Sequence, residues 1–497
     1  MNSAIRLPAV LAIGFTGHRG IPDETKSRQL ICDFLQERKL ATPGIVYGLS
    51  SVAAGADLLF AESCLKLGIP LRVLLPVPEE YFRKDFDDAT WLRAEQVLRK
   101  AVSVQVSVQV TGDNQIREER YYECGIETVQ QSQLLVALWD GQPSRGLGGT
   151  EEIVSFARKM GRPVIWFHSE TGEVRAFHEE AARKLLHDHE LDFLNHLPDA
   201  GITRAADSPA DLAWAWFRKI DRNASRFAPQ VRRLASIPIV YTAAAALFSG
   251  VAASRGAAVP AWLAVSAALG ITAAALPWAL RLKRRQALWA RTRTAVEVCR
   301  SVLALWGTPA LYEVIGPEII PELSGMLVSL NYLKMEDGAR NKVSLEEFKQ
   351  SYRRERLFNQ IEYFSIYGAR SDREGRTFRA VTWLCGGFAV VIAAWWFAGK
   401  LGLGGAHALS GSKWLALVIS ALFQIATVAG ALVIVNDCNR RQQRYRELCD
   451  WLRGWDAQLD ALRTWPSVLQ VAARVEKALL VELLEWRSLV RNRKPGK

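Results

Sequence analysis

Three glycine-rich turns hold the side chains best suited to chemistry in this sequence: G-F-T-G-H-R-G at 14–20, G-L-S-S-V-A-A-G-A-D at 48–57 and G-L-G-G-T-E-E at 146–152. Glycine lets a backbone approach a ligand closely, and the free amides that open a following helix face an anion. Gly17, Gly55, Gly148 and Gly149 would supply that approach, and Ser50, Ser51 and Thr150 would add hydroxyl donors. His18 and Arg19 stand where a phosphate or carboxylate could be met. Asp57 falls at a helix start, where capping or a buried hydrogen bond explains an aspartate as well as ligand contact does. Asp140 closes the apolar run L-L-V-A-L-W-D-G, Glu151 lies in the third turn, and Tyr121 and Glu127 occupy the amphipathic stretch before that run. Any single such turn is weak, because α/β turns commonly contain glycine; three together point to a nucleotide-derived or NAD-derived ligand. His187 and His189 with Asp188 and Asp192 have metal-ligand chemistry, but they lie on a charged helical stretch that reads as a solvated face, so no metal is expected. No resident cofactor and no catalytic residue is assigned.

The elements that must position these turns are apolar strands alternating with amphipathic helices from residue 9 to about 170, the pattern of a parallel sheet covered on both faces. The strands read as Val10 to Phe15, Ile45 to Leu49, Leu71 to Pro76, Val102 to Val110, Leu134 to Trp139 and Val164 to Phe167. Open α/β sheets bind ligands along the carboxyl edge, where all three turns fall.

The rest of the chain is different. Ala235 to Ala253, Ala258 to Leu280, Ala380 to Ala398 and Trp414 to Val435 carry no formal charge, and each is close to the ~20 residues that span hydrocarbon. The first two are alanine-rich, so a buried soluble hairpin is the competing reading for them. Arg232 and Arg233 precede the first window and Arg281, Lys283, Arg284 and Arg285 follow the second. Arg370, Arg373, Arg376 and Arg379 precede the third, and Arg440, Arg441, Arg444 and Arg446 follow the fourth. The positive-inside rule then keeps both termini in the cytosol of a multi-pass membrane protein. Trp395, Trp396 and Trp414 fit an interfacial belt. The 63 Lys+Arg against 51 Asp+Glu, a formal charge of +12, is thereby topological, and no direct nucleic-acid binding is expected. The second window with Arg284, Arg285 and Trp289 superposes on the fourth with Arg440, Arg441 and Tyr445, which leaves open a duplicated two-helix module.

Seven scattered cysteines without a C-x-x-C pair argue against a disulfide framework and for a reducing compartment. Helices are expected over Ala287 to Leu305, from Ser344 through the S-L-E-E capping box, and along Val468, Val471, Val475, Leu479, Leu483, Trp486 and Val490 on one face. Gln424, an amide inside the fourth window, needs a partner in lipid: an interhelical hydrogen bond or a pore lining.

The turn G-F-T-G-H-R-G, the G-A-D ending at 57, L-L-P-V-P-E-E-Y-F-R-K-D-F after the third strand, and L-L-V-A-L-W-D-G followed by G-G-T resemble the SLOG superfamily, Rossmann-like domains related to DprA and the LOG phosphoribohydrolases. R-L-F-N-Q-I-E-Y-F at 356–364, the arginines before the third window and E-K-A-L-L-V-E-L-L-E-W at 476–486 resemble the SLATT group of two-helix membrane effectors. The resemblance implies a SLOG-like domain over 1–170, a helical linker over 171–233, membrane modules over 234–310 and 379–436, a cytosolic helical segment over 311–378 and cytosolic helices over 437–497. The expected fold class is therefore a Rossmann-like α/β parallel-sheet domain followed by an all-α membrane region with four transmembrane helices. The implied function is a homo-oligomeric, ligand-gated effector that senses a nucleotide-derived signal and perturbs the lipid bilayer in anti-phage defence. The alternatives are a membrane-tethered LOG-like hydrolase and a scaffold for a protein partner. Against hydrolysis, the position of the family's final catalytic glutamate holds Ile153, with Glu151 and Glu152 out of register.

Overall fold

The computed structural model describes residues 5–107, 117–144, 146–185, 188–199, 201, 207–255, 260–279, 282–308, 320–338, 343–400, 413–435 and 438–491. Two compact units divide the chain, Met1–Ile220 with Val298–Ser344, and Asp221–Glu297 with Leu345–Lys497.

The first unit is built on seven strands: β1 (Val10–Gly17), β2 (Ile45–Ser50), β3 (Leu71–Leu75), β4 (Ser103–Val106), β5 (Leu134–Trp139), β6 (Val164–His168) and β7 (Val174–Phe177). Their order is β4-β3-β2-β1-β5-β6-β7, parallel throughout except for the antiparallel β6–β7 pair. Between them run α1 (Glu24–Ala41), α2 (Ala56–Lys66), α3 (Glu79–Phe82), α4 (Asp88–Lys100), α5 (Arg117–Gln131) and α6 (Thr150–Lys159). Every residue of β3 and β5 is buried, as expected of strands covered on both faces. The period of two sorts β5: Leu134, Val136 and Leu138 belong to the same core cluster as Ile31, Leu35, Leu59 and Val97 of α1, α2 and α4. Leu135, Ala137 and Trp139 pack with Val129 and Ile153 of α5 and α6. Each fully buried aliphatic of this kind contributes roughly 1.5–3 kcal/mol.

The parallel core and five of the strand ranges were legible from the apolar runs, whereas β7 was not. V-R-A-F is short, half exposed and interrupted by charge, the character of an edge strand, and it lies within the stretch read as a helical linker. The fourth strand ends at Val106, and residues 108–110 of its expected range lie outside the described residues.

After β7 come α7 (Glu179–Lys184), α8 (His189–Asn195) and the long α9 (Pro209–Arg255). Asn195 accepts the Leu7 amide and the Trp216 indole N–H, each at 2.9 Å. The buried Lys219 ammonium donates to the carbonyls of Ile5 and Asn195 at 2.8 Å, so α8 and the start of α9 are fixed to the chain that enters β1. Then follow α10 (Pro260–Ala279), α11 (Leu282–Ala304) and α12 (Ser324–Gly338); Ser329 of α12 donates to the Pro8 carbonyl at 2.7 Å.

The second unit is helical. α13 (Leu345–Ser351), a π-helical segment (Tyr352–Phe358) and α14 (Asn359–Lys400) run on as one helix, followed by α15 (Lys413–Val435), α16 (Cys438–Ala461) and α17 (Trp465–Arg491). α14 and α15 form a close antiparallel hairpin: Thr382 donates to the Ala426 carbonyl at 3.4 Å, and a methyl group at Gly386 would stand 3.8 Å from Ala426 Cβ. In the α9–α10 pair, Ser266 donates to the Ala245 carbonyl at 2.8 Å. Among the described residues two helical stretches are long and apolar enough to cross a membrane, one within Leu345–Gly399 and one within Trp414–Ala461, and only 6% and 12% of their apolar windows are buried. In α9 and α10 the apolar stretches are shorter, Ile237–Phe248 and Ala264–Ala273. α13 starts at Leu345, directly after Ser344, where the S-L-E-E sequence placed a helix start, and Val468 and Val475 of α17 are fully buried.

Candidate functional site

The chain runs outward from β1 through β2 and β3 to β4, then returns past β1 to β5, so the strand order reverses between β1 and β5. At such a reversal the two flanking loops part and leave a crevice at the carboxyl ends of the strands. His18 leaves β1 and Asp140 leaves β5 on its two sides, with His18 Nε2 3.8 Å from Asp140 Oδ1. Asp140 also turns its own loop by accepting the Gln142 amide at 3.0 Å, and Gly141 takes the left-handed conformation that follows.

The first two turns interlock. The Gly17 amide donates to Asp57 Oδ2 at 3.1 Å, and Ser51 donates to Asp57 Oδ1 at 3.0 Å. Ser50 donates to the Asp57 carbonyl at 3.3 Å, and the Ala56 amide to the His18 carbonyl at 3.0 Å. Gly55 is required here: its φ is +98°, and a Cβ would lie 2.3 Å from the Arg19 carbonyl oxygen. Val52, fully buried in this turn, holds a φ of 58°, which is strained for a β-branched residue. Burial pushes the Asp57 carboxyl up to about 7, against the opposing pull of the Ser51 hydroxyl, the Gly17 amide and the Arg19 charge.

Arg19 lies over the Tyr121 ring at 5.2 Å. The Tyr121 hydroxyl donates to Asp85, which Arg117 meets at 2.5 Å. Burial opposes ionisation of Asp85, but the Arg117 and Tyr121 hydrogen bonds outweigh it and hold the carboxyl below its usual range. Burial, then Asp85, raises the Tyr121 hydroxyl. The sequence reading singled out neither Asp85, which lies in the run L-L-P-V-P-E-E-Y-F-R-K-D-F, nor Arg117 as a site residue. Arg117 lies one helical turn before Tyr121 on α5, and that i, i+4 spacing was the available signal.

The third turn is closed by its own side chains. Gly149 caps α6 without a side-chain bond, and the Gly148 amide donates to Glu152 Oε2 at 2.7 Å. Gly148 has a φ of +83°, and a Cβ there would come within 2.8 Å of the Tyr122 amide nitrogen. Thr150 is buried and Glu151 is half exposed. Ile153, 1% exposed, fills the space beside Gly125 in the core, so the position has no carboxylate to offer. Glu127 is 4% exposed, accepts from Ser107, and takes the Gln131 amide at 2.7 Å. Asp188 caps α8 through the Glu190 and Leu191 amides, and His187 lies outside the described residues.

One small cavity of the first unit lies at the opposite, amino edge of the sheet, where Tyr47, Arg72, Gln131, Arg162, Leu327 and Asn331 line it. The crevice at the carboxyl edge thus offers cations, an aromatic face and backbone amides. That set of groups suits binding. Compared with known proteins, the chain matches no family model and no curated protein.

Proposed function

We propose that the chain is a ligand-gated membrane effector. The sheet unit takes a nucleotide-derived signal at the crevice between β1 and β5, where Arg19, His18 and the third turn meet its phosphate and Tyr121 offers a ring. The α9–α10 and α14–α15 hairpins cross the bacterial inner membrane four times with both termini cytosolic, and a homo-oligomer permeabilises or perturbs the bilayer when the signal arrives. Anti-phage defence is the setting that the SLOG and SLATT resemblance implies. The observation that carries this reading is the exposure of the apolar windows in α14 and α15, 6% and 12% buried, on a chain that also builds a switch-point crevice. Core helices of a soluble fold would be buried. Gating requires that the signal bind one arrangement of the protein better than another, because equal affinity shifts no equilibrium.

The full chain, purified from membranes, should carry a nucleotide-class ligand identifiable by mass spectrometry. Added to reconstituted, dye-loaded vesicles, that ligand should trigger leakage. Recovery in the soluble fraction, or leakage indifferent to the ligand, would refute the proposal. Hydrolysis by a LOG-type site is the weaker reading, since Ile153 is sealed in the core.

A further inference from the structure

One end of the α14–α15 hairpin carries a collar of arginines. Arg379, one residue before the apolar window of α14, donates to the Asn439 carboxamide, and Ser371 donates to the Cys438 carbonyl at 3.1 Å. These bonds bring the last polar turns of α14 level with the first turn of α16. Carboxylates neutralise part of the charge: Glu374 takes Arg370 and Asp372 takes Arg376, each at 3.0 Å, and Glu482 takes Arg444 at 3.3 Å. Arg373, Arg379, Arg440 and Arg441 make no ion pair among the described residues; Arg373 and Arg440 are exposed, and Arg441 lies over the Tyr445 ring at 5.8 Å. One turn inward from Arg379 stands Trp383, 79% exposed, followed by exposed Leu384 and Phe388.

We propose that this collar binds the phosphate of an anionic phospholipid, with the acyl chain along Trp383, Leu384 and Phe388. The inference rests on the membrane-spanning reading of α14 and α15 and names the lipid that their charged end selects. Guanidinium groups without carboxylates present paired N–H donors that match a phosphate's oxygens. Their continuity with an exposed apolar face favours a lipid over a free phosphate, because only a lipid occupies both surfaces. A zwitterionic headgroup would place its own cation among the arginines, so an anionic headgroup is preferred.

The test uses the full chain in neutral detergent. Short-chain phosphatidylglycerol should raise its melting temperature by several degrees, while phosphatidylcholine or inorganic phosphate at the same concentration should not. Arg379→Gln with Arg440→Gln should abolish that shift. Arg379→Lys with Arg440→Lys should keep most of it, and Arg99→Gln on α4 should keep all of it. Equal shifts with both lipids, or a Gln pair that retains the phosphatidylglycerol shift, would overturn the proposal. A shift reproduced by phosphate alone would overturn the lipid as its source. Recovery of the chain from the soluble fraction would instead count against the membrane reading itself, so the two failures are distinguishable.

Discussion

Arg356 and Glu476 form a buried bidentate ion pair, Nε to Oε1 at 2.8 Å and Nη2 to Oε2 at 2.5 Å, that ties the π-helical segment to α17. Tyr352, one turn earlier, donates to Glu476 Oε1 at 2.8 Å. Removing one partner leaves the other charged and desolvated, which costs about 3–5 kcal/mol, whereas apolar replacement of both is close to neutral. Glu476→Ala should therefore lower the melting temperature of the solubilised chain sharply, and Arg356→Met with Glu476→Leu should restore most of it. A double variant as unstable as the single one would show that the pair fixes the π segment by more than charge.

Two buried groups of the sheet unit should give its stability opposite slopes with pH. Asp57, raised from 3.8 to about 7, keeps its proton in the fold while the unfolded chain has lost it, so stability falls as pH rises from about 4 to about 7. Burial, with Arg72 nearby, lowers Lys334 from 10.5 to about 7. The fold holds this amine neutral while the unfolded chain is still protonated, so stability rises between about 7 and 10.5. Each limb is on the order of a few kcal/mol. Melting temperatures at pH 5, 7 and 9 check this: Asp57→Asn should flatten the first limb and Lys334→Met the second. An Asp57→Asn chain that keeps the whole acid limb would remove Asp57 as its source.

The sheet was legible because fully buried strands write continuous apolar runs, as Leu134–Trp139 does. The charge-interrupted β7 writes no such run. In the site, glycine marked the turns well: Gly55 and Gly148 hold left-handed conformations against neighbouring backbone. Side-chain alliances across distant elements left no mark, so Asp85 stood only as part of a quoted run, and Glu127 was placed by its helix rather than by its Ser107 and Gln131 bonds. In the helical unit, hydropathy located the windows of α14 and α15 and paired them as a two-helix module, as the Thr382–Ala426 bond has it, whereas α9 and α10 hold apolar stretches shorter than their expected windows.

Gln424 on α15 is half buried and makes no side-chain hydrogen bond among the described residues. An amide in lipid finds a partner on another helix, at a typical gain of about 0.6–2 kcal/mol. In the proposed homo-oligomer, Gln424→Leu should shift cross-linked species toward smaller assemblies while membrane insertion is unchanged. An unaltered distribution of cross-linked species would leave the residue without a role in assembly.

The third turn separates sensing from hydrolysis. At Gly149 the backbone φ is −72°, so substitution there brings no left-handed strain, and aspartate is a favoured N-cap for α6. A Cβ at this position would stand 2.5 Å from Ser144 Oγ and 2.8 Å from Ser144 Cβ, so the loop at Ser144 has to shift with its side chain. A melting curve and a membrane recovery matching the parent chain establish that Gly149→Asp has folded, and its carboxylate then repels a phosphate at the helix start. Binding of an ADP probe should weaken at least tenfold, about 1.4 kcal/mol, with ligand-triggered leakage lost in parallel. Glu152 now holds the Gly148 amide that a ligand phosphate would take. Glu152→Gln keeps an acceptor for that amide but removes the competing charge, so a sensor should bind ADP more tightly and gate at lower concentration. A phosphoribohydrolase that used this carboxylate would instead lose turnover. Calorimetry on the two variants decides the matter: undiminished ADP binding by Gly149→Asp would move the site elsewhere, and weaker binding by Glu152→Gln would end the view that its carboxylate competes with the ligand.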